Sequence, residues 1–195
     1  MLLGLTGGIA TGKSTVARLL TERHDFVFFD ADACVHELLA SDADVISAVA
    51  RELALGDGPI DRRALGQVVF RDREARHRLE GILHPLVRAR WQQLADECRG
   101  EGRNFLADIP LLFETGADPA FDTRIVVAAS PETQRHRLQE RGLGAEMIDA
   151  MLASQWPIGQ KITRADYVIW NDGSPAGLER QCSLLLDALF PKRHE

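Results

Sequence analysis

Short apolar runs alternate along the chain with segments that have helical spacing of their apolar residues. The runs are rich in leucine, phenylalanine and β-branched residues, and they cover residues 2–6, 26–30, 104–109, 122–129 and 165–171. Strands that alternate with helices in this way are typical of a parallel sheet covered on both faces. We therefore predict an α/β fold with a five-stranded parallel sheet flanked by helices.

Two helical segments are longer than a simple crossover between strands requires. One covers residues 59–102, where we expect Pro85 to begin or kink a helix. The other covers residues 131–164 and is rich in charge. We predict a helical substrate-binding insert in the first segment and a mobile lid in the second. The core is then divided into residues 1–58, 103–130 and 165–195.

The composition is that of an ordinary globular protein, with 45% apolar and 27% charged residues among 195. No apolar run reaches the length of a membrane span, and the first residues lack the basic segment of a signal peptide. The three cysteines form no CxxC pair, and the net charge is −6. We expect a cytoplasmic protein without nucleic-acid or membrane partners. The sequence leaves monomer and homo-oligomer equally open.

One stretch reverses the overall charge. Residues 62–90 contain eight arginines and three acidic residues, a formal local charge of 8 − 3 = +5. A solvated helical face explains such a stretch, and so does a surface that binds an anionic ligand.

A phosphate-binding motif follows the first predicted strand. The sequence TGGIATGKST, residues 6–15, matches G-x-x-x-x-G-K-[ST] and leads into a helix, which is the context the motif requires. The backbone N–H groups of such a loop surround phosphate oxygens, Lys13 reaches the β- and γ-phosphates, and Ser14 binds Mg²⁺. The predicted ATP-binding residues of the loop are Gly8, Ala10, Thr11, Gly12, Lys13, Ser14 and Thr15.

Proteins with this loop include kinases, GTPase switches and hydrolysing ATPases. No aspartate here has a glycine three residues later, and no asparagine precedes a lysine, so the two GTPase motifs are missing. The strand ending in Asp108 lacks the adjacent glutamate usual in a hydrolysing ATPase. The sequence therefore favours a kinase.

A kinase requires a carboxylate that takes the proton of the acceptor hydroxyl. The segment FFDADACVH offers Asp30 and Asp32 after the second strand. Asp32 is also a candidate N-cap of the next helix, and Asp30 a candidate partner of a Mg²⁺-bound water. Spacing alone does not choose between the two carboxylates.

The order of several motifs resembles the dephospho-CoA kinase family over nearly the whole chain. The motifs are LGLTGGIATGKST, FFDADACVHEL, ILHPLV, DIPLLFE and RADYVIWNDG. The resemblance implies ATP-dependent phosphorylation of the ribose 3′-hydroxyl of dephospho-CoA, by a P-loop kinase fold with nucleotide core, helical CoA domain and lid. It also places the general base on Asp32 and Asn171 beside the adenine. The other predicted substrate contacts are Arg62, Arg63, His84, Asp108 and Leu111.

Two arginines of the predicted lid, Arg137 and Arg141, lie on one face of a helix. In kinases of this shape, lid arginines neutralise the charge of the transferred phosphate. We prefer Arg141 for this catalytic role because it ends the helix at Gly142; an exposed helix is the alternative for both arginines.

Ala10 and Thr11 depart from the glycine and serine usual in the family. Binding tolerates Ala10 without strain only if the loop needs no positive φ there. Trp156 and Pro157 stand where the family has a charged helix, which puts the motion of the lid in doubt.

Overall fold

The computed structural model describes residues 1–55 and 60–191, excluding the side chains of residues 62, 63, 67, 70 and 71. It contains a parallel sheet in the order β2-β3-β1-β4-β5. The strands are β1 (Leu2–Gly7), β2 (Val27–Asp30), β3 (Phe105–Asp108), β4 (Thr123–Ala128) and β5 (Tyr167–Trp170). The predicted fold class and all five predicted strands are confirmed.

Helices fill most of the connections between strands. They are α1 (Lys13–Arg23), α2 (Ala31–Ser41), α3 (Ala43–Leu53), α4 (Arg62–Arg71), α5 (Arg73–Glu101), α6 (Pro131–Glu140), α7 (Ala145–Ala153), α8 (Ile158–Ile162) and α9 (Pro175–Leu189), with a 3₁₀ turn at Asp118–Ala120. In the part of the chain that the structure describes, no helix combines the length and apolarity of a membrane span.

The central strand β1 is buried along its whole length because its side chains pack on both faces of the sheet. It pairs with β3 on one side, where Leu5 lies opposite Asp108, and with β4 on the other. Buried apolar residues of the strands, α1 and α9 form the core: Leu3, Leu5, Val16, Leu20, Leu106, Ile125, Val127, Ile169, Leu178, Cys182 and Leu185. The segment after β1 therefore leaves the sheet at the middle of its carboxyl edge, where ligands of open α/β sheets bind.

The chain divides into two compact units, residues 1–29 with 98–195 and residues 30–97. The first unit holds β1, β3, β4, β5 and the helices around them. The second is helical and includes α2 and α3 as well as most of the segment we expected to form the insert, whose last residues, 98–102, belong to the first unit. The five-part division into core, insert and lid stays a prediction.

Arginines of the basic stretch make ion pairs inside the second unit. Arg90 lies 3.1 Å from Glu37 of α2, and Arg76 lies 3.7 Å from Glu80 on the same helix. Part of the local positive charge is thus neutralised by neighbouring carboxylates, as a solvated helical face requires.

Pro85 lies inside α5. The expectation that it begins a helix is wrong. A proline in a helix removes one hydrogen bond to the carbonyl four residues earlier, here that of Gly81. Both residues are exposed, so water can hydrate this carbonyl and the helix continues.

Candidate active site

The segment between β1 and α1 runs from Gly8 to Gly12. Gly12 precedes α1 and has a φ of 89°, in the left-handed region that favours glycine. Within the described residues, no side chain caps the start of α1, and its first turn carries no acidic residue. The uncapped N–H groups and the helix dipole therefore favour an anion at this position.

Ala10 also lies in the left-handed region, with a φ of 59°. A side chain bearing Cβ is strained there by about 1–2 kcal/mol relative to the right-handed region. The loop thus holds a conformation at residue 10 that glycine would adopt more easily. We expected strain at Ala10 if its φ were positive, and it is.

We expect Ala10→Gly to raise the thermal midpoint of unfolding by a few degrees. Relief of about 1 kcal/mol of strain corresponds to about 2–4 °C in a protein of this size. Calorimetry of the purified variant measures this shift. The matched control is Ala89→Gly in the exposed middle of α5, where glycine should lower the midpoint. A lower midpoint for Ala10→Gly would contradict strain at that residue.

Every backbone carbonyl from residue 7 to residue 12 accepts a hydrogen bond. The donors are Lys161 Nζ to Gly7 (3.2 Å), Thr11 Oγ1 to Gly8 (2.9 Å), Gln134 Nε2 to Ile9 (2.6 Å), Arg137 Nη1 to Ala10 (3.0 Å), Asn171 Nδ2 to Thr11 (2.8 Å) and the N–H of Val16 to Gly12 (3.2 Å). In a trans peptide the carbonyl and the next N–H point in opposite directions. A donor that holds a carbonyl therefore also fixes the direction of the N–H group in the same peptide, as a phosphate-binding loop requires.

Two glycines make room for these donors. A Cβ at Gly12 would overlap Nδ2 of Asn171, and one at Gly8 would lie 2.7 Å from Nε2 of Gln134. The side-chain amides reach the loop because both positions lack a side chain.

Lys13 Nζ donates to Oδ1 of Asp108, which ends the neighbouring strand β3. The two side chains are only 14% and 4% exposed, so the ammonium is held close to the carboxyl edge of the sheet. A phosphate at the loop would compete with Asp108 for this cation.

Few groups near the loop can bind a metal ion. Ser14 is exposed in the first turn of α1, and Asp108 lies at the end of the adjacent strand. Among residues 1–55 and 60–191, no three histidine, cysteine, aspartate or glutamate side chains form a metal-binding cluster. Mg²⁺ at nucleotide sites uses one or two protein ligands together with phosphate oxygens and water, and this sparse set of oxygens fits that pattern.

Lys161 of α8 is fully buried beside the loop. Its ammonium donates to the carbonyls of Gly7 and Pro110 and forms a 2.8 Å ion pair with Glu114. Burial lowers the pKa of Lys161 below its usual value, although the hydrogen bond that it donates to Glu114 acts in the opposite direction. Glu114 in turn accepts the N–H of Trp156 at 3.1 Å. Sequence reasoning missed Lys161 because a lysine in a charged segment is normally exposed.

The structure places Arg137, not Arg141, against the loop. Arg137 is half-buried, and its guanidinium joins the carbonyl of Ala10 to that of Asn171 at 3.0 and 2.8 Å. Arg141 follows α6 as its C-cap and is exposed. We preferred Arg141 because it lies at the helix end, but that position does not bring it into contact with the loop.

Asn171 contacts the loop through its side chain, which donates to the carbonyl of Thr11, while its own carbonyl accepts a hydrogen bond from Arg137. The next residue, Asp172, accepts the N–H of Ser130 at 2.9 Å and Nε1 of Trp170 at 2.9 Å. Burial alone would raise the pKa of Asp172, but these hydrogen bonds lower it below its usual range. The turn after β5 is thereby fixed to the start of α6.

Asp30 and Asp32 lie on either side of the start of α2. Asp30 ends β2 and caps α2, since its side chain accepts the N–H of Ala33 at 3.0 Å. Asp32 lies in the first turn of α2 and is exposed. The N-cap interpretation that we considered for Asp32 is wrong, because Asp30 performs that role.

The remaining predicted substrate residues are spread over both units. Leu111 is half-buried after β3, while Leu112 and Phe113 beside it are buried in the core. His84 is half-buried in α5. The side chains of Arg62 and Arg63 lie outside the described part of the structure.

The sequence is similar to dephospho-CoA kinases in comparisons with a family profile and with individual proteins. The family profile described as Dephospho-CoA kinase matches residues 1–176. A dephospho-CoA kinase of Anaeromyxobacter dehalogenans is 42% identical over 191 residues, which are 95% of this chain and 90% of that protein.

Two solved structures share the fold over nearly their full length. A Thermus thermophilus protein is 34% identical, with a TM-score of 0.78 and 97% of each chain covered. A dephospho-CoA kinase from Campylobacter jejuni is 29% identical, with a TM-score of 0.71 and 96% of each chain covered. The chain therefore belongs to the dephospho-CoA kinase family.

Proposed function

We propose that this protein transfers the γ-phosphate of ATP to the ribose 3′-hydroxyl of dephospho-CoA, which gives coenzyme A and ADP, in the last step of coenzyme A biosynthesis. The observation that carries the proposal is the loop after β1, whose carbonyls each accept a hydrogen bond and which leads into an uncapped helix start, with Lys13 paired to Asp108 beside it. Family membership supplies the identity of the acceptor. We place the reaction in the cytoplasm.

On the nucleotide side, the N–H groups from Gly8 to Thr15 bind the phosphate oxygens of ATP. Lys13 exchanges its pairing with Asp108 for the β- and γ-phosphates, and its charge stabilises the departing ADP. Ser14 would supply a protein oxygen to Mg²⁺, and Asp108 would hydrogen-bond to a water of the ion. The metal ion, when bound, neutralises the charge that develops on the phosphates.

On the acceptor side, Asp32 takes the proton of the ribose 3′-hydroxyl. A new bond forms between the 3′-oxygen and the γ-phosphorus while the bond to the β,γ-bridging oxygen breaks, and ADP leaves with that electron pair. The exposure of Asp32 and the capping of α2 by Asp30 support this assignment, because the capping requirement is already met by the other carboxylate.

Other roles stay proposals for mutagenesis. Arg141 is exposed at the end of α6, and we retain it as the arginine that contacts the transferred phosphate. Asn171 forms part of the adenine pocket. The proposed acceptor contacts are Arg62, Arg63, His84, Asp108 and Leu111.

The test is an acceptor panel. The purified protein is incubated with MgATP and separately with dephospho-CoA, nucleosides and nucleoside monophosphates, and the products are separated by chromatography and identified by mass. We expect coenzyme A to form, with ADP in equal amount. Phosphorylation of a nucleoside instead would indicate a nucleoside kinase, and ADP release without any phosphorylated acceptor would contradict both kinase functions.

A further inference from the structure

We infer that Gln134, Arg137 and Asn171 are positioning residues that hold the loop in its phosphate-binding conformation before nucleotide arrives. We call these three side chains the carbonyl clamp. The inference deepens the proposed function and rests on it, because it assigns the clamp to binding of the ATP phosphates.

The clamp acts on three consecutive peptide groups. Gln134, Arg137 and Asn171 donate to the carbonyls of residues 9, 10 and 11 at 2.6, 3.0 and 2.8 Å. Rotation of any of these peptides would turn a carbonyl toward the bound phosphates and withdraw an N–H. The three bonds oppose that rotation, so they favour the binding conformation through the loop backbone rather than through a contact with the phosphates.

The clamp is itself rigidly supported. Gln134 and Asn171 are 6% and 8% exposed, and each amide occupies space left by a glycine of the loop. The guanidinium of Arg137 is also fixed at its second terminal nitrogen, because Nη2 donates to the carbonyl of Asn171. Asp172 then links this turn to Ser130 at the start of α6. Buried side chains in a closed set of hydrogen bonds transmit position more precisely than exposed ones.

The clamp also holds Ala10 in its strained conformation. That residue has a φ of 59°, which alanine avoids in an unrestrained loop. The bond from Arg137 to its carbonyl holds the peptide in place. Strained backbone persists only where the surrounding contacts over-determine it, and this bond is such a contact.

Two variants test the clamp. Gln134→Met keeps the length of the side chain but removes its donor, and Arg137→Lys keeps the charge but cannot bridge two carbonyls. Arg135→Lys is the matched control, since Arg135 lies on the same helix, is exposed, and pairs with Asp149 at 2.6 Å. The ligands are ADP and inorganic tripolyphosphate, and calorimetry measures their dissociation constants. We expect each clamp variant to bind both ligands about 5- to 30-fold more weakly, the factor for about 1–2 kcal/mol.

A second readout needs no ligand. Backbone ¹⁵N relaxation reports the order of the amides of residues 10–12, which share peptide groups with the three clamped carbonyls, in the nucleotide-free protein. The amides of α9 serve as the internal reference. We expect order parameters of about 0.85 in the loop of the wild type and below about 0.6 in the clamp variants, with α9 unchanged. A purely structural defect would instead loosen α9 as well.

Kinetics with MgATP separate positioning from chemistry. The KM for ATP should rise in the clamp variants by the same factor as the dissociation constant, while the KM for dephospho-CoA stays unchanged. Unaltered loop order and polyphosphate affinity in either folded variant would overturn the inference. Failure of the wild type to bind tripolyphosphate or ADP would instead contradict the proposed function, and the relaxation measurement would still decide whether the clamp orders the loop.

Discussion

Replacement of Asp32 by asparagine will lower kcat at least about 100-fold, which is the usual scale for loss of a general base. The affinity for ATP will be unchanged. Asparagine has nearly the same shape as aspartate but cannot take the proton of the acceptor hydroxyl. Because Asp32 is exposed in the first turn of α2 and the cap of that helix is Asp30, the substitution should cost little stability. Steady-state rates of ADP release with saturating dephospho-CoA, together with calorimetric ATP binding, measure both effects.

The chain contains its own control for this substitution. The Asp-Ala-Asp sequence occurs again at residues 42–44, where Asp42 caps α3 and Asp44 is an exposed residue of its first turn. Asp44→Asn therefore removes the same charge from the same position of a neighbouring helix. It should leave kcat within about twofold of the wild type, since a helix-dipole contribution is well under 1 kcal/mol at an exposed site. Near-normal turnover of Asp32→Asn would transfer the role of general base to Asp30 or another group.

Replacement of Lys161 by methionine will lower the free energy of unfolding by about 3–5 kcal/mol, the range for breaking a buried ion pair on one side. Methionine fills most of the volume but leaves Glu114 without its ammonium partner, at a side-chain exposure of only 14%. The carbonyls of Gly7 and Pro110 also lose their buried donor. Denaturant titration of the purified variant measures the loss.

A double variant separates the ion pair from packing. Glu114→Gln in the Lys161→Met background removes the uncompensated charge, so the double variant should be more stable than Lys161→Met alone. The exposed pair of Arg18 and Glu22, which lies on α1 at 2.7 Å, is the matched control. Its removal by Arg18→Met should cost less than about 1 kcal/mol. A loss equally small at Lys161 would show that the buried pair does not stabilise the fold.

The sheet and the loop were predictable because their signals are local. Each strand is a short apolar run between turn residues, and the phosphate-binding motif depends on residues that are adjacent in sequence. The strand order, which we did not predict, places that motif at the middle of the sheet edge. No long-range contact is needed for either conclusion.

The support of the loop could not be predicted, because it comes from side chains more than 120 residues away. Gln134 and Asn171 are uncharged residues in polar segments, and nothing in their neighbourhood indicates a backbone partner at residues 9–11. The contact of Arg137 with the loop could not be predicted for the same reason, since Arg137 and Arg141 share a helix face and only the fold brings the first against Ala10. The choice of Arg141 for the transferred phosphate stays a prediction. The strain at Ala10 likewise appears only when its φ is known.

The proposed reaction is phosphorylation of the 3′-hydroxyl of dephospho-CoA by ATP. The most direct measurement is a single turnover with γ-³²P-ATP, Mg²⁺ and dephospho-CoA, followed by separation of the labelled products. We expect the label to appear in coenzyme A at the 3′-position, and an acceptor lacking the 3′-hydroxyl to take up none. Label found only in inorganic phosphate, or transferred equally to the acceptor without a 3′-hydroxyl, would contradict it.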